Sequence, residues 1–336
     1  MTSEVQALKD LDEKAHEAYA RGELNEALSI HQKQLELASD QPELLAAAHK
    51  SIGLILHDSG DWERSIAELE EALRIQSSIA VGRNRNHDAD VPLQLSIANT
   101  HINMAEVYKS MENFELSLHH FQQALALQSS IIPDTLMLAD TYNSIAVIFG
   151  QVGNCKMALD FHTSCLAIRQ KLGPTTLATS CSASNIGLIL YKMGKLESAL
   201  FYLQQALDIE QELIPNTLDL ADSFSNVAQV LYKLNKYDEA VSMFRDALQL
   251  KNNLSPHSLD VAKTSFDIGW VLMTMDQPSE AHQFIQEAID LEEHFIPDSE
   301  ELAHAYETLV QCLRRQGLPI PLELETKLDA IKSNQK

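Results

Sequence analysis

Six prolines, Pro92, Pro133, Pro174, Pro215, Pro256 and Pro297, stand 41 residues apart along the chain without a slip. A period of that length is one helix–turn–helix unit, so the spacing predicts copied helical hairpins stacked side by side. Such a stack buries a continuous core between neighbouring units and presents an extended surface suited to holding partners. The period therefore constrains architecture and type of function together.

Apolar residues repeat in the same phase. Met104-Ala105, Ile145-Ala146, Ile186-Gly187, Val227-Ala228, Ile268-Gly269 and Leu309-Val310 are again 41 apart, each followed at the same distance by Tyr108, Phe149, Leu190, Leu231, Leu272 or Leu313. Small residues follow: Ser117, Ala158, Ala199, Ala240 and Ala281, then Ala124, Cys165, Ala206, Ala247 and Ala288. Large and small residues at spacings of three, four and seven make one apolar helical face, and the small positions let helix backbones approach closely. Lys14-Ala15 with Ala27, and Ile52-Gly53 with Leu56 and Gly60, add two copies at the N-terminal side. From Ile52 to Met104 is 52 residues, 11 more than the period. We place the insertion at about residues 80–91, in the polar run Val81 to Asp90, as a flexible loop; a regulatory site there is the other reading.

Each proline marks a turn between units. Two residues after it comes Thr135, Thr176, Thr217, Ser258 or Ser299, placed to cap the next helix. Asp219, Asp260 and Glu301 fall in the first turn, where the helix dipole favours negative charge. After Pro92 the cap position holds Gln94. Within units, Gly60, Gly153, Gly194, Asn235 and Gly317 occupy helix-ending positions, and Asp276-Gln277-Pro278 replaces the glycine turn in the seventh. The expected organisation is a repeat array over residues 1–317, with units starting near 8, 44, 94, 135, 176, 217, 258 and 299. A capping helix from Leu322 to about Ile331 and a short tail complete it over residues 318–336.

Composition narrows the function. The net charge of −23 argues against general nucleic-acid binding, which needs basic residues to neutralise phosphates, and against docking on an anionic membrane. No stretch approaches the eighteen apolar residues of a membrane span, and the N-terminus lacks the basic-then-apolar pattern of a signal peptide, so a cytoplasmic protein is expected. Cys155, Cys165, Cys181 and Cys312 have no paired metal-ligand spacing; Cys165 stands where other units carry a packing alanine. Of the adjacent His119 and His120, one is expected to face the core. Acid pairs such as Glu70-Glu71 and Glu292-Glu293 read as solvated surface. With no phosphate loop, nucleophile elbow or dinucleotide fingerprint, no enzyme activity and no cofactor are expected.

The run Asn226-Val227-Ala228-Gln229-Val230-Leu231-Tyr232-Lys233-Leu234-Asn235-Lys236-Tyr237-Asp238-Glu239-Ala240 resembles the first helix and turn of a tetratricopeptide repeat of the long, kinesin-light-chain-like kind, and Pro215 to Asp222 resembles its inter-repeat loop. The resemblance runs over roughly residues 10–317, although the usual unit of that subclass is one residue longer and its heptad-repeat segment is absent. It implies an all-α fold: a right-handed superhelix, or α-solenoid, of about seven helical hairpins plus a C-terminal capping helix. It also implies a concave groove lined by the first helix of each hairpin.

Carried onto this chain, the family's five inward positions hold six basic residues, Lys109, Lys192, Lys233, Lys263, Arg314 and Arg315, and four acids, Glu106, Asp140, Asp222 and Glu307. That balance is positive in an otherwise acidic chain. Lys192 and Lys233, beside Tyr191 and Tyr232, are placed to receive an acidic side chain or a terminal carboxylate; as helix-end lysines they are equally favoured by the dipole. Asn103, Asn143, Asn185 and Asn226 are candidates to hydrogen-bond an extended peptide, or to bridge neighbouring helices instead; Asp267 interrupts the row. Phe266, Trp270 and Met273 read as an apolar inward patch beside Lys263 and Arg314. The expected function is a protein–protein interaction adaptor or scaffold whose groove binds a short acidic and apolar peptide segment of a partner. A peptide-sensing regulator that changes superhelix pitch and a structural subunit using convex or end surfaces are the alternatives.

Overall fold

A computed structural model describes residues 3–38, 40–82, 90–297 and 299–334, and among these regular structure is helical, with no strand. The chain divides into two compact units, Met1–Ile168 and Arg169–Lys336. The first holds α1 (Ser3–Ala20), α2 (Leu24–Leu37), α3 (Pro42–Asp58), α4 (Trp62–Gly82), α5 (Val91–Ser110), α6 (Phe114–Ile131), α7 (Leu136–Gln151) and most of α8 (Cys155–Leu172). The second holds the end of α8, then α9 (Leu177–Lys192), α10 (Leu196–Leu213), α11 (Leu218–Lys233), α12 (Tyr237–Leu254), α13 (Leu259–Thr274), α14 (Pro278–Phe295), α15 (Glu300–Arg315) and α16 (Leu322–Asn334). In the first unit each helix from α1 packs on the next as far as α7, and in the second each from α9 packs on the next as far as α16.

The small positions are the ones that allow this. Ser117, Ala158, Ala199, Ala240 and Ala281 are fully buried, as are Ala124, Cys165, Ala206, Ala247 and Ala288. The closest approach within a hairpin follows a pairing rule. Gly53, Gly187 and Gly269 on first helices lie opposite Leu69, Leu203 and Ile285, sixteen residues on, and a Cβ on those glycines would stand 2.7, 2.6 and 2.6 Å from the branched side chains. Where the first helix carries Ala15, Ala105, Ala146 or Ala228, the residue sixteen on is a flat ring: His31, Phe121, His162 or Phe244. A ring presents its thin dimension and leaves room for a methyl; a branched aliphatic side chain does not.

Turn chemistry follows the sequence. Thr135, Thr176, Thr217, Ser258 and Ser299 each accept a hydrogen bond from the amide three residues on, at 3.0–3.3 Å. The left-handed residues that end first helices include Asn235 (φ 61°) and, in the third and seventh hairpins, Glu112 and Asp276 (both φ 58°). Helix α5 differs from expectation: it begins at Val91 with Asp90 at the N-cap, so Pro92 lies in its first turn and Gln94 is inside the helix, not at a cap. Pro92 is tolerated there because first-turn amides have no intrahelical acceptor. Val81 and Gly82, expected in the inserted loop, end α4; the rest of that loop, residues 83–89, lies outside the described residues.

A second periodic feature was not anticipated. Second helices carry a buried polar residue in constant phase: Gln76, Gln128, Arg169, Glu210, Lys251 and Glu292. The next first helix offers a hydroxyl in matching phase: Thr100, Thr141, Ser182, Ser223 and Thr264. Thr100 donates to Gln76 at 3.0 Å and Thr141 to Gln128 at 2.8 Å; Arg169 donates to Ser182 at 2.7 Å and Lys251 to Thr264 at 3.3 Å. Glu210 accepts instead from Ser180 on α9, the helix before it. A hydroxyl both donates and accepts, so one row serves amides and cations alike. The row stops at Ala305, which stands where Glu292 would find its hydroxyl.

Candidate functional site

The second unit gathers four of the candidate residues around one cavity. Tyr191 ends α9, Tyr232 ends α11, and Phe266 and Trp270 lie one turn apart on α13. With Gln229, Phe244, Asp267, Val271 and His304 of α15 they line a space of about 230 Å3. Trp270 Nε1 donates to the Tyr232 hydroxyl at 2.9 Å, which fixes the indole across two repeats. The His304 ring sits 5.1 Å from Phe266 and 5.2 Å from Trp270, centroid to centroid, and Phe266 is 6.2 Å from Trp270. These are the separations of tilted aromatic contacts. Trp270 stays 36% exposed, a large apolar side chain held open to solvent by its neighbours.

Beside this space, and sharing Phe266, Asp267 and His304 with it, lies a hollow of about 560 Å3 lined also by Leu259, Asp260, Lys263, Glu292, Ile296, Ser299 and Glu301. Burial pushes the Asp267 carboxyl up to about 6, outweighing the pull of Lys263 and Lys251. Burial, helped by Glu301, pushes Glu292 up to about 7. Glu292 is only 6% exposed, so reading it as solvated surface is wrong; α15 packs over α14 and covers it. Its Oε2 has no hydrogen-bond partner, and Ala305 stands where earlier repeats carry a hydroxyl.

The remaining candidates fall elsewhere. Met273 is 5% exposed and belongs to the core with Leu309 and Leu313, so the patch consists of Phe266 and Trp270 without it. Its position at the end of α13 is covered by the following repeat, where Arg315 donates to the Met273 carbonyl at 2.7 Å. Arg314 is exposed on α15 and lines neither space. Lys192 and Lys233 are exposed at equivalent helix ends, and Lys233 Nζ lies 5.7 Å from the Tyr232 ring centroid. Asn185 and Asn226 are half-buried; Asn185 Nδ2 lies 3.9 Å from Cys181 Sγ.

In the first unit, Asn103 and Asn143 are half-buried and the Asn143 Oδ1 has no hydrogen-bond partner. Lys109 is committed to an ion pair with Glu106. Much of the inward charge is likewise compensated locally in the second unit: Asp222 pairs with Lys251 at 2.9 Å, Arg315 with Asp276 at 3.6 Å, and Glu307 with Lys332 at 2.5 Å. Among the described residues no group of three or more His, Cys, Asp or Glu is arranged to hold a metal ion, and no helix is long and apolar enough to cross a membrane.

The tetratricopeptide-repeat family model matches residues 96–171, 158–212, 178–253 and 219–294, more than half of the chain. The chain belongs to the tetratricopeptide-repeat family. A search of curated proteins returns no match. Solved structures agree on the fold. BtubC (BKLC) from P. vanneervenii is 16% identical with a TM-score of 0.57, over 76% of this chain and 93% of that one. A putative kinesin light chain with nearly identical repeats from Podospora anserina is 14% identical with a TM-score of 0.52, over 60% and 98%. The signal-transduction ATPase PH0952 from Pyrococcus horikoshii, which has a tetratricopeptide-repeat sensor, is 16% identical with a TM-score of 0.67, over 99% of this chain and 47% of that one. The tetratricopeptide-repeat fold is typically non-enzymatic, and the repeats of this chain support a protein–protein interaction scaffold.

Proposed function

We propose that the second unit binds a short peptide segment of a protein partner, with the cavity of Tyr191, Tyr232, Phe266, Trp270 and His304 as its anchor. The observation that carries this reading is Trp270, about one-third exposed yet held in place by the Tyr232 hydroxyl. A rigid aromatic residue in a small open cavity gives large contact area at little entropic cost, which is how interface anchors work. Exposed Lys192 and Lys233, one repeat apart, supply positive charge for an acidic group of the segment and raise its association rate. A lysate pull-down comparing wild type with Trp270→Ala and with Lys192→Glu/Lys233→Glu, at matched helicity, tests it. Loss of the same partner from both variants supports the reading; an unchanged partner set moves the binding surface off this face and favours a structural-subunit role.

A further inference from the structure

We propose that the ring cavity and the hollow beside it take the cationic end of a basic side chain, an arginine or lysine of the bound segment, between the rings of Phe266, Trp270 and His304 and the carboxyls of Asp267 and Glu292. This rests on the peptide reading for the source of the side chain and departs from the acidic ligand expected along the whole groove: the seventh repeat receives the opposite charge.

Three independent features of the site point to a cation. The first is its walls. Indole and phenyl faces attract cations through their quadrupoles, most strongly for tryptophan, and these rings are tilted about a shared space, not stacked shut.

The second is the unpartnered oxygen. Glu292 is buried beyond nine-tenths, lines the hollow, and has Oε2 without a donor; of the equivalent groups, Gln76, Gln128, Arg169 and Lys251 bond the hydroxyl of the next helix, and Glu210 accepts from Ser180. Ala305 offers no hydroxyl at the matching position, so an incoming N–H group meets an acceptor already stripped of water. Of the orphaned buried oxygens, the one on Glu292 belongs to a residue that lines an open hollow, where an entering donor can reach it.

The third is charge balance. Asp260, Asp267, Glu292 and Glu301 face the hollow against Lys263 and His304. Lys251, the other cation near Asp267, is paired with Asp222, so the carboxyls around the hollow outnumber the cations that face them. A guanidinium, which is planar, weakly hydrated and able to stack on a ring while donating to a carboxylate, suits the site better than a compact ammonium.

The test uses the full chain with Trp62→Phe, which leaves Trp270 as its sole tryptophan of the two. N-acetyl-arginine amide is titrated in by Trp270 fluorescence and by calorimetry, against N-acetyl-lysine methylamide, N-acetyl-leucine amide and N-acetyl-glutamate amide. The expected result is saturable binding of the arginine probe at millimolar concentrations, weaker binding of the lysine probe, and none of the others. Asp267→Asn and Glu292→Gln, which keep shape and remove charge, should each weaken it about tenfold. Equal binding of the leucine probe, unchanged binding in both variants, or no saturable signal well above millimolar concentration overturns the proposal. A pull-down that fails while the titration succeeds rejects the peptide reading alone, and the reverse rejects the cation site alone.

Discussion

The two units of this chain are built on one hairpin template, yet they fill its buried polar positions with different chemistry. In the first, the second-helix row is neutral: Gln34, Gln76 and Gln128. In the second it is Arg169, Glu210, Lys251 and Glu292, charged throughout and mixed in sign. The titratable groups that burial perturbs also differ. The first unit holds imidazoles pushed toward their neutral form: His31 by burial, His101 by burial and His119, and His120 to about 4 by burial and then by His101 and His119. His120 faces His101 at 3.0 Å between ring nitrogens and stacks on Tyr108, while His119 is exposed, so one of the adjacent pair does turn inward. The second unit holds carboxyls pushed toward their protonated form. The template thus dictates where a polar group is buried and leaves its charge open, and the unit that accepts buried charge is the one with the open aromatic cavity.

Single-tryptophan variants turn this contrast into measurements, because Trp62 reports on the first unit and Trp270 on the second. The largest effect should come from truncating the charged row. Lys251→Ala removes a buried stem, its bond to Thr264 and its pair with Asp222, and should cost about 3 kcal/mol in the Trp270-reported transition. Gln128→Ala should cost about 1 kcal/mol in the Trp62-reported one. Equal costs would erase the distinction between the rows.

Next in size is Glu292→Gln. The folded-state value near 7 lies above the ordinary 4.5, so the stability it confers is present below about pH 4.5 and lost as pH rises through 7. The variant should be more stable than wild type by about 2 kcal/mol at pH 8, with the gap closing near pH 5. A pH-independent gap would show that the carboxyl is not the cause.

The hairpin lock should be indifferent to unit. Gly53→Ala and Gly187→Ala should each cost about 1–2 kcal/mol, and Leu203→Phe should recover part of the second loss. Smallest, and opposite in sign to Glu292, is His120. Its depressed value means that stability present above pH 6.5 is lost as pH falls toward 4, so acidification to pH 5 should loosen the first unit by about 1 kcal/mol while the second tightens. His120→Phe, which keeps the stack on Tyr108, should remove most of that dependence.

Much of the fold was readable because a period is a redundant signal: prolines, caps, small residues and helix ends all repeat in one phase, and the five Thr and Ser caps bond as that phase requires. The site was readable only in part. Tyr191, Tyr232, Phe266 and Trp270 come together because helical phase places them on one face. Glu292 was missed for a physical reason: a carboxylate is solvated by default, and nothing in a local window says that the following repeat covers it. Its signal was present in the sequence, in the row from Gln128 to Glu292 and the hydroxyl row that ends at Ala305. His304 lies on an element whose facing partner is known only once α13 and α15 are packed. Met273 failed in the other direction, since a flexible apolar side chain at a helix end folds under the next repeat.

The glycine-with-branched and alanine-with-ring pairs have a consequence for how such a chain changes over time. Each pair is closed within one hairpin, so duplicating, deleting or transplanting a whole hairpin carries both halves of the fit along. A crossover falling between residues 187 and 203 would instead splice a glycine to a ring and leave a hole, or an alanine to a leucine and force a clash. Viable recombination joints are thereby kept outside the stretch between paired positions, the proline turns among them, and descent by whole-unit copying keeps the 41-residue spacing intact while individual hairpins drift in content.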